Sequence, residues 1–149
     1  MGLFQSFDIS ATGMTAQQFR ADIISENIAN INTTRTSSGT PYTRKIVTFQ
    51  EKDTNSFERF LTASRKRGSH VGNGVKVIRV SEDDSTDYIM DYDPSHPDAD
   101  ENGYVSYPNV NIVTEMTDLI DANRAYEANV TAFNASKSMA QAGLQIGGK

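Results

Sequence analysis

A long, regular apolar pattern in the C-terminal part of the chain limits its fold more than any other feature. Steps of four and three residues alternate along Ile112, Met116, Leu119, Asn123, Tyr126, Val130, Phe133, Lys137, Ala140 and Leu144. This spacing places all the members on one side of an α-helix. The sequence therefore predicts a C-terminal helix at residues 111–149, about 50 Å long at ~1.5 Å per residue.

Capping signals bracket this helix. Asn109 or Asn111 can cap its first turn, and Gly147-Gly148 mark its end. The polar Asn123 and Lys137 interrupt the apolar stripe. Such polar residues either fix the register of a helix–helix interface or face solvent at its edge, and the sequence leaves both interpretations open.

A second apolar pattern predicts an N-terminal helix at residues 1–31, ending near Ile31. Its apolar positions are Phe7, Met14, Ala21, Ile24 and Ile28. Gly13 lies inside the pattern and costs about 1 kcal/mol of helix stability relative to Ala. We therefore expect this helix to depend on a partner surface.

Residues 32–110 differ in character, since Thr, Ser, Gly, Asn and Asp clusters separate short β-prone runs. Residues 46–50 and 75–80 alternate in the manner of strands, and Asn73-Gly74 before the second run is a turn signal. The predicted fold is α+β, with a loop-rich β region between two long helices. A globule of this length has a radius of gyration of about 15 Å, so a 50 Å helix predicts an elongated subunit.

Composition argues against several classes of function. The formal net charge is −5, which disfavours nucleic acid and anionic lipid as partners. The chain has no cysteine, so thiolate catalysis and sulfur metal sites are excluded. The N-terminal residues lack a signal-peptide pattern, and the sequence has no apolar run long enough to span a membrane. We expect neither a cleavable signal peptide nor a transmembrane segment.

The segment that most resembles a chemical site is Asp98 to Gly103, whose Asp98, Asp100 and Asn102 match the opening of an EF-hand calcium loop. The match fails at position twelve, which is Asn109 instead of Glu. We therefore predict an acidic turn, with a calcium-dependent secreted module as an alternative. His96 among nearby Asp residues is interpreted as part of a solvated loop.

No other motif predicts catalysis. The sequence has no nucleophile elbow and no dinucleotide fingerprint, and Gly72-Asn73-Gly74 leads into a strand instead of a helix. The basic cluster Arg65-Lys66-Arg67 lacks interleaved aromatic residues and is interpreted as a solvated loop. We predict no catalytic, cofactor-binding or metal-binding residue, and no enzymatic activity.

Three segments together resemble the terminal parts of flagellar rod and hook proteins: Glu26-Asn27-Ile28-Ala29-Asn30, Glu115-Met116 and Arg124-Ala125-Tyr126-Glu127-Ala128-Asn129. Two further segments, residues 40–50 and 92–110, resemble the proximal rod branch of this family. Residues 36–39 depart from the Thr-Pro-Gly-Tyr run of other axial proteins, and this also favours the proximal branch. Residues 51–70 match nothing in the family.

The resemblance implies a structural subunit of the flagellar basal-body rod, which transmits motor torque. It implies that residues 111–149 pair with residues 1–31, and that the chain reaches the periplasmic rod through the flagellar type III export apparatus. The implied partners are copies of the chain, other proximal rod proteins, the adapter to the export gate, the membrane ring and the distal rod proteins. No cofactor is implied.

The predicted assembly interface combines both apolar stripes: Phe7, Met14, Ala21, Ile24, Ile28, Ile112, Met116, Leu119, Asn123, Tyr126, Val130, Phe133, Ala140 and Leu144. A cytosolic coiled-coil adaptor or chaperone is the alternative that shares these helices. It differs by forming a small closed oligomer that is not exported.

Overall fold

A computed structural model describes residues 3–52 and 72–147. The elements, in chain order, are α1 (Leu3–Ala29), β1 (Lys45–Glu51), β2 (Val75–Glu82), β3 (Ile89–Tyr92), β4 (Tyr104–Tyr107) and α2 (Ile112–Gly147). Two helices thus flank a region of short strands, and the predicted α+β class is confirmed. The basic cluster at residues 65–67 lies outside the described residues.

The N-terminal helix ends slightly earlier than its pattern predicts. It ends at Ala29 instead of Ile31. The chain then turns, because the amide of Ile31 donates to the carbonyl of Ile28 and the amide of Thr33 to that of Asn30. These tighter bonds satisfy carbonyl groups that a longer helix would have used.

The C-terminal helix has 36 residues, from Ile112 to Gly147, which corresponds to about 54 Å. Asn111 caps it: its Oδ1 accepts hydrogen bonds from the amides of Val113 (2.9 Å) and Thr114 (3.3 Å). This settles which of the two candidate caps is used. Asn109 has a different role, described below.

The described part of the region between the helices, residues 30–52 and 72–111, contains two separate two-stranded sheets. β1 pairs with β2, and both strands lie where the alternating patterns predict strands. β3 pairs antiparallel with β4 in a register that places Tyr92 opposite Tyr104 and Asp91 opposite Val105. The sequence patterns did not predict this second sheet. Gly74, at the predicted turn before β2, has φ of +97°, a conformation that favours glycine.

The chain forms two compact units. Of the described residues, unit 1 contains 3–18, 49–52, 72–78 and 123–147, and unit 2 contains 19–48 and 79–122. In unit 1, the Phe7 and Phe133 rings are 5.0 Å apart. In unit 2, Arg20 forms an ion pair with Asp118 at 3.2 Å. Within each unit α1 therefore packs against α2. The predicted division at residues 31 and 110 stays a prediction.

Candidate assembly surface and polar cluster

The face that α2 turns toward α1 is lined by small and polar side chains. Glu115, Ala122 and Ser136 are buried along this helix at multiples of seven residues. Asn129, on the same spacing, lies against Gly13 of α1, where an added Cβ would be only 2.5 Å from the Asn129 Oδ1 atom. Seven residues make nearly two helical turns, so these positions share one face, which we call the intrachain seam.

The predicted apolar stripe of α2 lies beside this seam. Met116 and Val130 each follow a seam residue by one position, which corresponds to about 100° around the helix. Several stripe residues are therefore exposed in the single chain. Met116 is 54% exposed and Leu144 is 78% exposed. The other exposed members are Ile112, Asn123, Tyr126 and Lys137, and the half-buried members are Leu119, Val130, Phe133 and Ala140.

The predicted apolar stripe of α1 is buried or half-buried in the single chain. Ile24 is buried, and Phe7, Met14, Ala21 and Ile28 are half-buried. The contact between Phe7 and Phe133 joins the α1 and α2 stripes within unit 1. Some of the predicted interface residues, such as Phe7 and Phe133, thus contact each other within a single chain. It leaves an apolar flank on α2, which we define as Ile112, Met116, Tyr126 and Leu144.

A cluster of buried polar side chains lies in unit 2, and the amide of Asn27 is at its centre. Asn27 Nδ2 donates to the carbonyl of Lys45 (2.9 Å) and to Glu115 Oε2 (3.0 Å). Asn27 Oδ1 accepts from the Tyr42 hydroxyl (2.8 Å) and from the amide of Lys45 (2.9 Å). All four bonding positions of this side chain are used, so it ties the end of α1 to β1 and α2.

Glu115 is fully buried in the first turn of α2 and needs a cationic partner. Arg44 provides it, since its Nε atom donates to Glu115 Oε1 at 2.6 Å. The same guanidinium lies 3.7 Å from Asp83 and 3.5 Å from Asp118. Burial opposes the charge on Arg44, but the hydrogen bond and the charge of Glu115 outweigh it and raise the Arg44 pKa.

Asn109 completes the cluster from the segment before α2. Its Oδ1 atom accepts from the amide of Arg44 at 2.8 Å, and its Nδ2 atom donates to the carbonyls of Asp83 and Thr86. Asp83 in turn accepts from the hydroxyl and the amide of Ser85, and these two bonds hold the pKa of its carboxyl below the usual value. The cluster therefore joins four segments that are distant in sequence, around residue 27 and at residues 42–45, 83–86 and 109–118.

Sequence reasoning did not identify this cluster as a site. Asn27, Tyr42, Arg44 and Glu115 entered only as parts of the segments that carry the family resemblance, and Asn109 entered also as a candidate helix cap and as the failed position of the calcium-loop match. The family resemblance was the sequence signal that could have pointed to these residues. No local pattern joins them, since they are up to 88 positions apart along the chain. Their polar atoms are occupied by one another, which suits a structural role.

The acidic turn before β4 is built by local hydrogen bonds. Asp100 Oδ1 accepts from the amides of Asn102 (2.9 Å) and Tyr104 (2.8 Å). Asp98 is engaged by Thr34 and Arg35. Within residues 3–52 and 72–147, no group of three or more His, Asp or Glu side chains is arranged to hold a metal ion.

Neither described helix combines the length and apolar character that crossing a bilayer requires.

Comparison with known proteins identifies the family. The profile described as "Flagella basal body rod protein" matches residues 7–35, and that described as "Flagellar basal body rod FlgEFG protein C-terminal" matches residues 101–146. The chain is 46% identical to the flagellar basal-body rod protein FlgC of Bacillus subtilis, with 99% of both chains covered. It is 45% identical to that of Borreliella burgdorferi, with 98% of both covered, and 35% identical to that of Salmonella typhimurium, with 99% of both covered. The chain therefore belongs to the FlgC family of flagellar basal-body rod proteins.

Proposed function

We propose that this chain is a structural, non-enzymatic subunit of the flagellar basal-body rod, in its proximal part. Its role is mechanical: it forms part of the shaft that transmits motor torque. Family membership over nearly the whole length supports this assignment. The apolar flank of α2 supports the mode of assembly, because a long helix with exposed Ile112, Met116 and Leu144 needs further surface to cover it.

Neighbouring subunits supply that surface in the proposed assembly. Burying one large apolar side chain contributes about 1.5–3 kcal/mol before ordering costs. Several such residues on each of many copies give the cumulative interface that a load-bearing tube requires. The intrachain seam meanwhile uses small and polar residues, which leaves the larger side chains available for contacts between subunits.

The family relationship also supports finer proposals about partners and location. The chain contacts copies of itself, other proximal rod proteins, the adapter to the export gate, the membrane ring and the distal rod proteins. It reaches the periplasmic rod through the flagellar type III apparatus without a cleavable signal. An adaptor or calcium-binding function has less support, because the relatives are rod proteins and the acidic turn is occupied by local hydrogen bonds.

The test compares two neighbouring exposed positions of α2. Met116→Glu places a charge in the apolar flank, whereas Thr117→Glu places the same charge about 100° away on the same exposed turn. Each variant replaces the wild-type chain in flagellated cells, and basal bodies are isolated for electron microscopy. We expect Met116→Glu to give membrane rings without complete rods and non-motile cells, and Thr117→Glu to swim. Intact rods in swimming Met116→Glu cells would contradict the proposed interface.

A further inference from the structure

The β3–β4 hairpin of unit 2 has an exposed face of apolar and aromatic residues. Side chains alternate between the two faces of the pair, so Met90 lies on the same face as Tyr92 and Tyr104, while the fully buried Val105 is on the other. The rings of Tyr92 and Tyr104 meet edge to face at 5.2 Å. Tyr92 is nevertheless 62% exposed. We call Met90, Tyr92 and Tyr104 the hairpin face.

The charges around the hairpin face restrict what can cover it. Asp91, Asp93, Asp100 and Glu101 lie within four residues of the hairpin face along the chain, and the sequence has no Lys or Arg between Arg79 and Arg124. Unit 2 as a whole has 14 acidic residues against 5 basic ones, a net formal charge of −9. A second copy of unit 2 would be repelled at this surface. The favoured occupant is apolar and has cations beside its apolar residues.

The C-terminal half of α2, residues 123–147 of unit 1, has this character. Its charged residues are Arg124, Lys137 and a single carboxylate, Glu127. Its most exposed large apolar residues are Met139, Leu144 and Ile146, which are 65–81% exposed. Exposed apolar side chains beside the cation Lys137 complement tyrosines near carboxylates.

We propose that the hairpin face of one copy docks on the C-terminal half of α2 of a second copy. This inference rests on the proposed rod function and assigns which surfaces meet. The two surfaces differ, so the contact is heterologous. Repeating such a contact does not close a dimer, and it extends an open helical array where the rotation between copies does not close a ring. Its charge complementarity makes it weaker as ionic strength rises.

The absence of cysteine from the sequence permits a direct test. Tyr92→Cys and Leu144→Cys chains with different tags are co-expressed in flagellated cells that lack the wild-type chain. Their basal bodies are oxidised and analysed on non-reducing gels. We expect a mixed 92–144 dimer several-fold more abundant than either 92–92 or 144–144 dimers. The matched control is Thr131→Cys with Tyr92→Cys, because Thr131 is also exposed on α2 but lies roughly 140° around the helix from Leu144.

The outcomes separate this inference from the rod assignment. Swimming cells whose 92–144 dimer does not exceed the Thr131 control would overturn the hairpin contact and leave the rod function intact. Rods and motility that persist when the chain is deleted would instead defeat the rod function. If Tyr92→Cys cells do not swim, purified chains are mixed, with Tyr104→Cys in place of Tyr92→Cys. A 104–144 dimer that decreases several-fold at high salt supports the contact, and no mixed dimer overturns it.

A photoreactive benzoylphenylalanine in place of Tyr92 tests other occupants. Mass spectrometry of the adduct should identify residues 123–147 of a second copy. An adduct with unit 2 of another copy, or with a different basal-body protein, would overturn the proposal.

Discussion

Asn27 shows why an amide, and not a carboxylate, is needed at the end of α1. The side chain must donate to Glu115 and accept from Tyr42 at the same time. An amide presents both functions, whereas ionised Asp is only an acceptor. Buried polar groups contribute to stability only when their partners are satisfied. The identity of residue 27 is therefore dictated by the fully buried Glu115.

Asn27→Asp should destabilise the chain strongly although it hardly changes volume. The substitution removes the donor to Glu115 and places two buried acceptors together. We expect a loss of about 2–4 kcal/mol in the free energy of unfolding, measured by urea denaturation. Asn123→Asp makes the same chemical change at an exposed position and should shift stability by less than about 0.5 kcal/mol. Equal effects at both positions would contradict a structural role for the cluster.

Tyr42 predicts how stability depends on alkaline pH. Burial, and then the charges of Glu26 and Glu115, raise the pKa of its hydroxyl from 10 to about 12. A raised pKa means that the folded chain favours the neutral phenol. The corresponding stability is complete below pH 10 and is lost as the pH rises toward about 12. Thermal melts over this range should decline less steeply for Tyr42→Phe than for wild type, while Tyr92→Phe, at an exposed site, should follow wild type.

At the scale of elements, one face of α2 packs against α1 and another face is left exposed in the single chain. Glu115, Ala122 and Ser136 face α1, and the larger Met116 and Leu144 are left for neighbours. Small side chains allow two helices to approach closely, and Gly13 marks such an approach in unit 1. The helix-propensity cost of Gly13 thus has a packing explanation.

Gly13→Ala should therefore not give the stabilisation that helix propensity alone predicts. The new methyl group would meet the side chain of Asn129, which must move away. In an Asn129→Ala background the same change should stabilise the chain by about 1 kcal/mol. A double-mutant cycle in urea should give a coupling of at least about 0.5 kcal/mol. The packing explanation fails if Gly13→Ala gives the same gain in both backgrounds.

Elements with a clear periodicity were predictable from sequence, and those defined by long-range contacts were not. The helices and the strands β1 and β2 followed from spacing and alternation. β3 was missed because Tyr88 to Tyr92 shows no regular alternation and the nearby Asp and Pro residues indicate a turn. The intrachain seam was missed because Glu115, Ala122 and Ser136 give no apolar signal, so the stripe beside it was the more visible pattern. Arg44 and Glu115 meet only through the tertiary fold.

At the scale of the whole molecule, burial is distributed unevenly between the two units. Among the described residues, the buried residues of unit 1 are Ser10, Ala16 and Ser136. Those of unit 2 include Ile24, Asn27, Tyr42, Asp83, Val105, Val110, Glu115 and Ala122. The ion pairs of Arg44 also lie in unit 2. Local stability follows buried contacts and satisfied hydrogen bonds, so unit 2 should be the more stable unit in an isolated subunit.

Hydrogen exchange of the isolated subunit should therefore be slower in unit 2 than in unit 1. Peptides around residues 20–29 and 112–122 should exchange at least tenfold more slowly than peptides from residues 130–147 of the same helix pair. Arg44→Gln removes the cation that neutralises Glu115 and should abolish most of this difference. In assembled rods, residues 130–147 should become protected, because neighbouring subunits then cover the exposed Leu144 and Ile146. Uniform protection in the isolated wild-type subunit would mean that the C-terminal half of α2 is already stable before assembly, and that neighbours add contacts without ordering the helix.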